Sequence, residues 1–250
     1  LADLEQWHRG RRELGAELQA YLHREALLSE HRQGEADRRR RREALEQRLP
    51  RFRGDPWWSM GVYSLAQDLD QVASDPERRI RARALALEGE RAYPGTHGAQ
   101  RCRQLIAQIE SPDYQLQSMT VDGADRRSIE ITHRNLAALY LRAYPVDLAA
   151  QLGRAEFRGF FPTDAREIER LLATATPVAE WKVALPPTAD YLPHRTFVTP
   201  PLAKAGTYLL VASAGRGFGE SGNRRVALAF TLSDLVLLEE GQHLPWRVRL

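Results

Sequence analysis

The sequence predicts an α+β chain assembled by segment: an all-α part over residues 1–110, then an all-β part over 111–238. Three observations carry this. In the first half, apolar residues recur at spacings of three and four, as on a helix with one buried stripe. From Ser111-Pro112 onward the spacing becomes two, and β-branched and aromatic residues are enriched. Proline, glycine, aspartate and threonine punctuate the chain where helices and strands should begin and end.

The helical elements follow in order. Leu4, Trp7, Arg11, Leu14, Leu18, Tyr21, Leu22 and Glu25 predict one long helix with a single stripe facing a partner. Gly34 is a weak break. Residues 35–49 continue as a very polar helix whose apolar contacts are Ala44, Leu45 and Leu49, ended by Pro50 and Gly54. Asp55-Pro56 then reads as an N-cap with proline in the first turn, leading into Trp57, Trp58, Val62, Tyr63, Leu65, Ala66 and Leu69. Ser74 to Glu77 is a second such start, before Ile80, Ala84, Leu85 and Leu87. Tyr93-Pro94-Gly95 stops that helix, and Thr96 caps the last one, which carries Ala99, Cys102, Leu105, Ile106 and Ile109. Two short helices across a Pro-Gly turn form an antiparallel pair of the tetratricopeptide kind. No second copy recurs at a fixed period, so no long solenoid is expected.

Seven strand-like runs follow. Residues around Leu116, Met119 and Val121 open the first, and Ile129 and Ile131 alternate with Glu130 and Thr132 in the second. The others are Leu139 to Tyr144, Trp181 to Leu185, Arg195 to Val198, Thr207 to Val211 and Val226 to Phe230. Seven short alternating strands with turn residues between them predict an immunoglobulin-like or fibronectin-like sandwich. Residues 148–175 interrupt it with two helical pieces around an aromatic turn, Phe157 to Phe161. Residues 239–250 read as the start of a linker or a further domain.

Composition narrows the function. The chain has 250 residues, 43% hydrophobic and 28% charged, with a net charge of +3; that is an ordinary folded composition. Basic residues are interleaved with acids rather than gathered on one face, which argues against a nucleic-acid partner. No stretch of eighteen apolar residues occurs, so no membrane-spanning helix is expected and any membrane association would be indirect, through a parent protein. The first thirty residues lack the apolar core of a secretory signal, and an opening Leu reads as the start of a piece of a longer protein. The single cysteine, Cys102, leaves no internal disulfide and no multi-cysteine metal site. The histidines are scattered without ligand spacing, so no metal or cofactor is expected.

Several motifs invite sharper readings. Gly217-Phe218-Gly219-Glu220-Ser221-Gly222 satisfies G-x-G-x-x-G, but a dinucleotide loop must open a helix; here the next run reads as strand, so a hairpin loop is expected. Arg38 to Arg42 is the strongest charge run. Glu35, Asp37, Glu43 and Glu46 flank it at pairing distance, which favours a solvated helix face over an anion-binding surface. Cys102 reads as a small core residue, and Trp57 and Trp58 as core. No G-x-S-x-G nucleophile elbow occurs, and no enzyme is expected. Phe157, Phe160 and Phe161, in the insertion, are the candidate protein contact, with packing against a neighbouring domain as their expected use.

Three stretches resemble one family. These are Ala92 to Ile109 with its Tyr93-Pro94-Gly95-Thr96 turn; His133-Arg134-Asn135-Leu136 with Leu139-Tyr140-Leu141-Arg142 and Val146-Asp147; and Trp181, Leu185, Tyr191, His194, Pro201-Leu202, Gly206 to Leu210 and Phe230 to Leu235. In order and spacing, over residues 90–238, they resemble the helical pair and first macroglobulin-like (MG) domain of large bacterial alpha-2-macroglobulin-like proteins. The resemblance implies a building block of an exported protease trap, periplasmic, cell-surface or secreted. Its partners would be neighbouring domains of the same polypeptide and, through the full-length protein, proteases. Cys102 is followed by Arg103, Gln104 and Leu105 and so lacks the family's Cys-Gly-Glu-Gln thioester run; no bait segment is present either. The alternative is a helical-repeat and sandwich adaptor that binds envelope proteins or polysaccharide.

Overall fold

The computed structural model describes residues 1–31, 34–119, 127–152, 161, 165–218 and 223–233. The chain is α+β, with helices in its N-terminal part and antiparallel sheets after them. It divides into two compact units: residues 1–111 with 189–192, and residues 112–188 with 193–250.

The first unit holds α1 (Ala2–Arg11), α2 (Leu14–His31), α3 (Glu35–Arg48), a 3-10 turn (Leu49–Phe52), α4 (Trp58–Asp70), α5 (Arg78–Ala92) and α6 (His97–Glu110). Its first element corrects the sequence reading. The chain turns at Arg12, which adopts the left-handed conformation with φ 59°, while the Arg12 and Glu13 amides return to the Arg9 and His8 carbonyls. The stripe from Leu4 to Glu25 is therefore cut in two. Leu4 and Trp7 lie exposed, Trp7 at 54%, and the buried residues of α1 and early α2 include Glu5 and Glu17. Four arginines gathered around these carboxylates decide the packing, and apolar periodicity is blind to such a cluster.

The core of this unit runs through α2, α3, the 3-10 turn, α4, α5 and α6. Leu18, Leu45, Phe52, Trp58, Val62, Leu65, Cys102, Leu105 and Ile109 are among its members. Each fully buried Leu, Ile or Val contributes about 1.5–3 kcal/mol by leaving water. Trp58 is buried and Trp57 packs half-buried against the cluster. The inner face of α5 is a second correction. Ile80 and Ala84 are exposed, and Ala82, Ala86 and Gly89 turn inward instead. Small residues let the helices approach closely. A Cβ on Gly89 would lie 2.7 Å from Cys102 Sγ and 2.9 Å from Val62 Cγ1, and one on Gly98 would lie 2.7 Å from the Ser59 carbonyl carbon. The buried Ser59 hydroxyl donates to the Gly89 carbonyl at 2.7 Å. The predicted stop and cap between α5 and α6 form: Gly95 has φ 86°, and the Thr96 hydroxyl accepts the Ala99 amide at 3.2 Å.

The second unit holds β1 (Asp113–Ser118), β2 (Ile129–Arg134), β3 (Ala138–Val146), α7 (Leu148–Leu152), α8 (Ala165–Thr174), β4 (Ala179–Ala184), β5 (His194–Val198), β6 (Gly206–Ser213) and β7 (Arg225–Leu232). All pairings are antiparallel, in a three-stranded sheet β1-β2-β5 and a four-stranded sheet β4-β3-β6-β7. Both sheets feed one core: Tyr114, Ile129 and Ile131 from the first, Leu139, Leu141, Val183, Tyr208, Leu210 and Phe230 from the second. Tyr208, Leu210 and Ala212 alternate onto that core as their spacing predicts. Tyr114 fastens β1 to the other sheet, donating from its hydroxyl to the Ala212 carbonyl at 3.1 Å and to the Arg224 carbonyl. Between β2 and β3 the chain turns through Asn135 at φ 55°, a conformation that asparagine tolerates. Its amide is taken up by the Thr188 hydroxyl at 2.8 Å.

Candidate functional site

The insertion between β3 and β4 builds the first candidate surface. On α8, Ile168, Leu171 and Leu172 share a face at helical spacing. They pack on Tyr144, Leu209, Val211 and Phe218, on the side of the four-stranded sheet away from the shared core. Phe161 joins the same cluster, half-buried. This candidate contact residue therefore packs within its own unit; Phe157 and Phe160 lie outside the described residues. Beside α8 is a groove of about 560 Å³ lined by Arg142, Arg166, Arg170 and Arg225 and by Glu169, Gly217 and Phe218. Arg142 lies 4.2 Å over the Phe218 ring and donates to Glu180 at 2.8 Å. Arg225 donates to Glu169 at 3.0 Å. These four arginines come from β3, α8 and β7, so no sequence window displays them together.

A second groove, about 800 Å³, lies beside the Arg38 to Arg42 run, lined by Arg38, Arg39 and Arg42 of α3, Asp68 of α4, and residues 71–74. Within α3, Arg40 and Asp37 are 3.4 Å apart, and Arg39 and Glu43 3.8 Å. Burial pushes the Asp68 carboxyl up, against the opposing pull of Arg41, Arg42 and Arg38. The groove also meets the negative C-terminal end of α4. The arginines here have acidic groups of their own unit to neutralise.

Glu5 and Glu17 are buried carboxylates, Glu17 at 1% exposure. Arg9 Nε donates to Glu17 at 2.8 Å and Arg51 Nη2 at 2.6 Å. Arg48 Nη1 donates to Glu5 at 2.8 Å, and Arg24 Nη1 approaches its other oxygen to 2.7 Å as an ion pair. Arg24 and Arg48 also lie over the Tyr21 ring, at 5.3 and 4.5 Å. Carboxylates paired in this way hold helices together. Only the i,i+4 spacing of Glu5 and Arg9 was visible in the sequence.

Cys102 is fully buried, its Sγ 3.6 Å from the Ser59 carbonyl oxygen. Burial, and secondarily Glu90, pushes its thiol up to about 11. A neutral thiol is a poor nucleophile. His133, the first residue of the second resembling stretch, is buried on β2 with Nε2 3.1 Å from the Thr196 hydroxyl. Burial and then His194 hold it below the ordinary histidine range. Of the G-x-G-x-x-G run, Gly217 and Phe218 are described, Phe218 at φ 53°; the remainder lies outside the described residues. The next element is strand β7. Among the described residues no group of three or more His, Cys, Asp or Glu is placed to hold a metal ion. No described helix is long and apolar enough to cross a membrane.

Comparison with protein-family models, with curated proteins and with solved structures gave no match.

Proposed function

We propose that this chain is a structural and interaction segment of a large exported bacterial alpha-2-macroglobulin-like protease inhibitor, and that its second unit is a macroglobulin-like sandwich of fibronectin-like topology. The observation that carries the reading is the strand grouping, β1-β2-β5 and β4-β3-β6-β7. In the constant-type immunoglobulin arrangement the fourth strand joins the sheet of the first two. Here β4 pairs with β3 instead. Asn135 is the left-handed turn residue between β2 and β3, Leu139 to Arg142 lie in β3, and Gly206 to Leu210 open β6. The buried carboxylates and the thiol serve packing, as expected of a module that contributes shape and leaves reactive chemistry to other parts of its parent.

The test uses the whole parent protein and this chain side by side, each incubated with a trypsin-like protease. A trap leaves the protease active on a small peptide substrate and shields it from a protein substrate. The parent should do this, and the isolated chain should not alter either activity. A parent that shields nothing would sink the protease reading in favour of an adaptor. Stoichiometric inhibition by the isolated chain would show that it is a working inhibitor and not a building block.

A further inference from the structure

We propose that the arginine groove beside α8 is a docking site for an acidic peptide segment of a partner protein. Four guanidinium groups from separate elements converge there: Arg142 from β3, Arg166 and Arg170 from α8, and Arg225 from β7. Among the described residues one carboxylate, Glu169, lines the groove with them. Arg225 is occupied by Glu169 and Arg142 by Glu180, which fixes those two at the base. Among the described residues neither Arg166 nor Arg170 has a carboxylate within ion-pair distance. Both are exposed, and Arg166 stands in the first turn of α8, at its positive end.

The wider balance separates this groove from the one beside α3. There Glu35 and Asp68 line the walls and a helix C-terminus adds negative charge, so an incoming anion would be opposed. Beside α8 the surplus among the described residues is positive. Planar guanidinium groups pair two-pronged with carboxylates. A groove of about 560 Å³ is larger than a single oxyanion needs, and Leu172 and Ala173 in its lining offer an apolar contact. That combination fits a short extended peptide with two or more Asp or Glu side chains flanking an apolar one. Attraction between exposed charges is screened by salt, so binding should weaken steeply as ionic strength rises.

The experiment uses the full chain and a fluorescein-labelled ten-residue peptide of alternating Glu and Leu, read by anisotropy at low salt. Saturable binding is expected, weakened at least ten-fold in the Arg166→Gln/Arg170→Gln double variant. It should be unchanged in an Arg38→Gln/Arg39→Gln/Arg40→Gln triple variant, and absent for the same peptide with Gln for Glu. Both variants change exposed side chains, and circular dichroism checks that they fold. The proposal fails if no saturable binding occurs, or if the α3 variant loses as much affinity as the α8 variant. It also fails if a sulfated polysaccharide or inorganic phosphate displaces the peptide at lower concentration than the unlabelled peptide does.

Discussion

Replacing Gly98 by alanine tests the close packing of the helical unit. Gly98 lies in the first turn of α6, where alanine would ordinarily raise helix propensity by at most about 1 kcal/mol. An added methyl would lie 2.7 Å from the Ser59 carbonyl carbon and nearer still to the Met60 amide nitrogen. Both obstacles are backbone of α4 and cannot rotate away. Relief requires α6 to move off α4 by several tenths of an ångström, loosening Cys102, Leu105 and Ile106, which belong to the shared core. Overpacking of this kind costs about 1–3 kcal/mol. Less a propensity gain of up to about 1 kcal/mol, that leaves a net loss of roughly 0–2 kcal/mol, or a Tm up to about 15 °C lower for a unit near 100 residues. Gly10→Ala is the control, because nothing lies within 4 Å of its Cβ position. Urea melts followed by circular dichroism at 222 nm report the helices. A Gly98→Ala chain stabilised as much as the Gly10→Ala chain would show that α4 and α6 do not pack as closely as described.

Three other outcomes follow from buried groups. Glu17→Ala should lower the urea midpoint in the same melts, because it strips the shared carboxylate from Arg9 and Arg51, which are half exposed and can turn to water; an unchanged midpoint would mean the pairs are idle. His133 resists protonation in the fold, so its contribution is intact above about pH 6.5, the unfolded value. As the pH falls below that value the unfolded chain gains a proton that the native one refuses, and stability drops by at most about 1.4 kcal/mol per pH unit. The loss between pH 7 and 5 should therefore be smaller in His133→Gln, and equal losses would remove histidine from the account. Cys102 should resist iodoacetamide at pH 8 until urea unfolds the helices, and methylamine should leave the intact mass unchanged; rapid labelling of the native chain or an amine adduct would contradict a buried neutral thiol.

The second half was more legible than the first. Strand periodicity is local: Ile129, Ile131, Tyr208 and Leu210 alternate onto the core as two-residue spacing requires. Turn chemistry was legible between α5 and α6, where Gly95 and Thr96 act within a few residues of themselves; the cap read at Asp55 does not form on α4 itself, which starts at Trp58 without a side-chain cap. The N-terminal stripe misled because Arg12 takes a left-handed turn that no glycine announces, and because arginines up to 43 residues away hold Glu5 and Glu17 inward. On α5, Leu85 and Leu87 pack half-buried on the core, while exposed Ile80 drew attention away from Ala82, Ala86 and Gly89; close helix approach selects for smallness, which hydrophobicity does not register. The arginine groove was invisible because its members converge only after β3, α8 and β7 are in place. Phe161 was placed in the right segment, yet its neighbours Tyr144, Leu209 and Val211 come from strands distant in sequence.

The cover that α8 lays over β6 has a consequence for how the chain matures. Leu209 and Val211 are buried beneath it, while Leu210 and Ala212 face the shared core, so β6 has no side that tolerates water. During synthesis the insertion emerges before β6, and its helix can wait only with its apolar side uncovered. Until the two meet, each is a sticky surface of the kind that drives self-association. Shortening the insertion, a natural step when trimming such a module for expression, would leave Tyr144, Leu209 and Val211 bare and yield inclusion bodies rather than a smaller soluble domain.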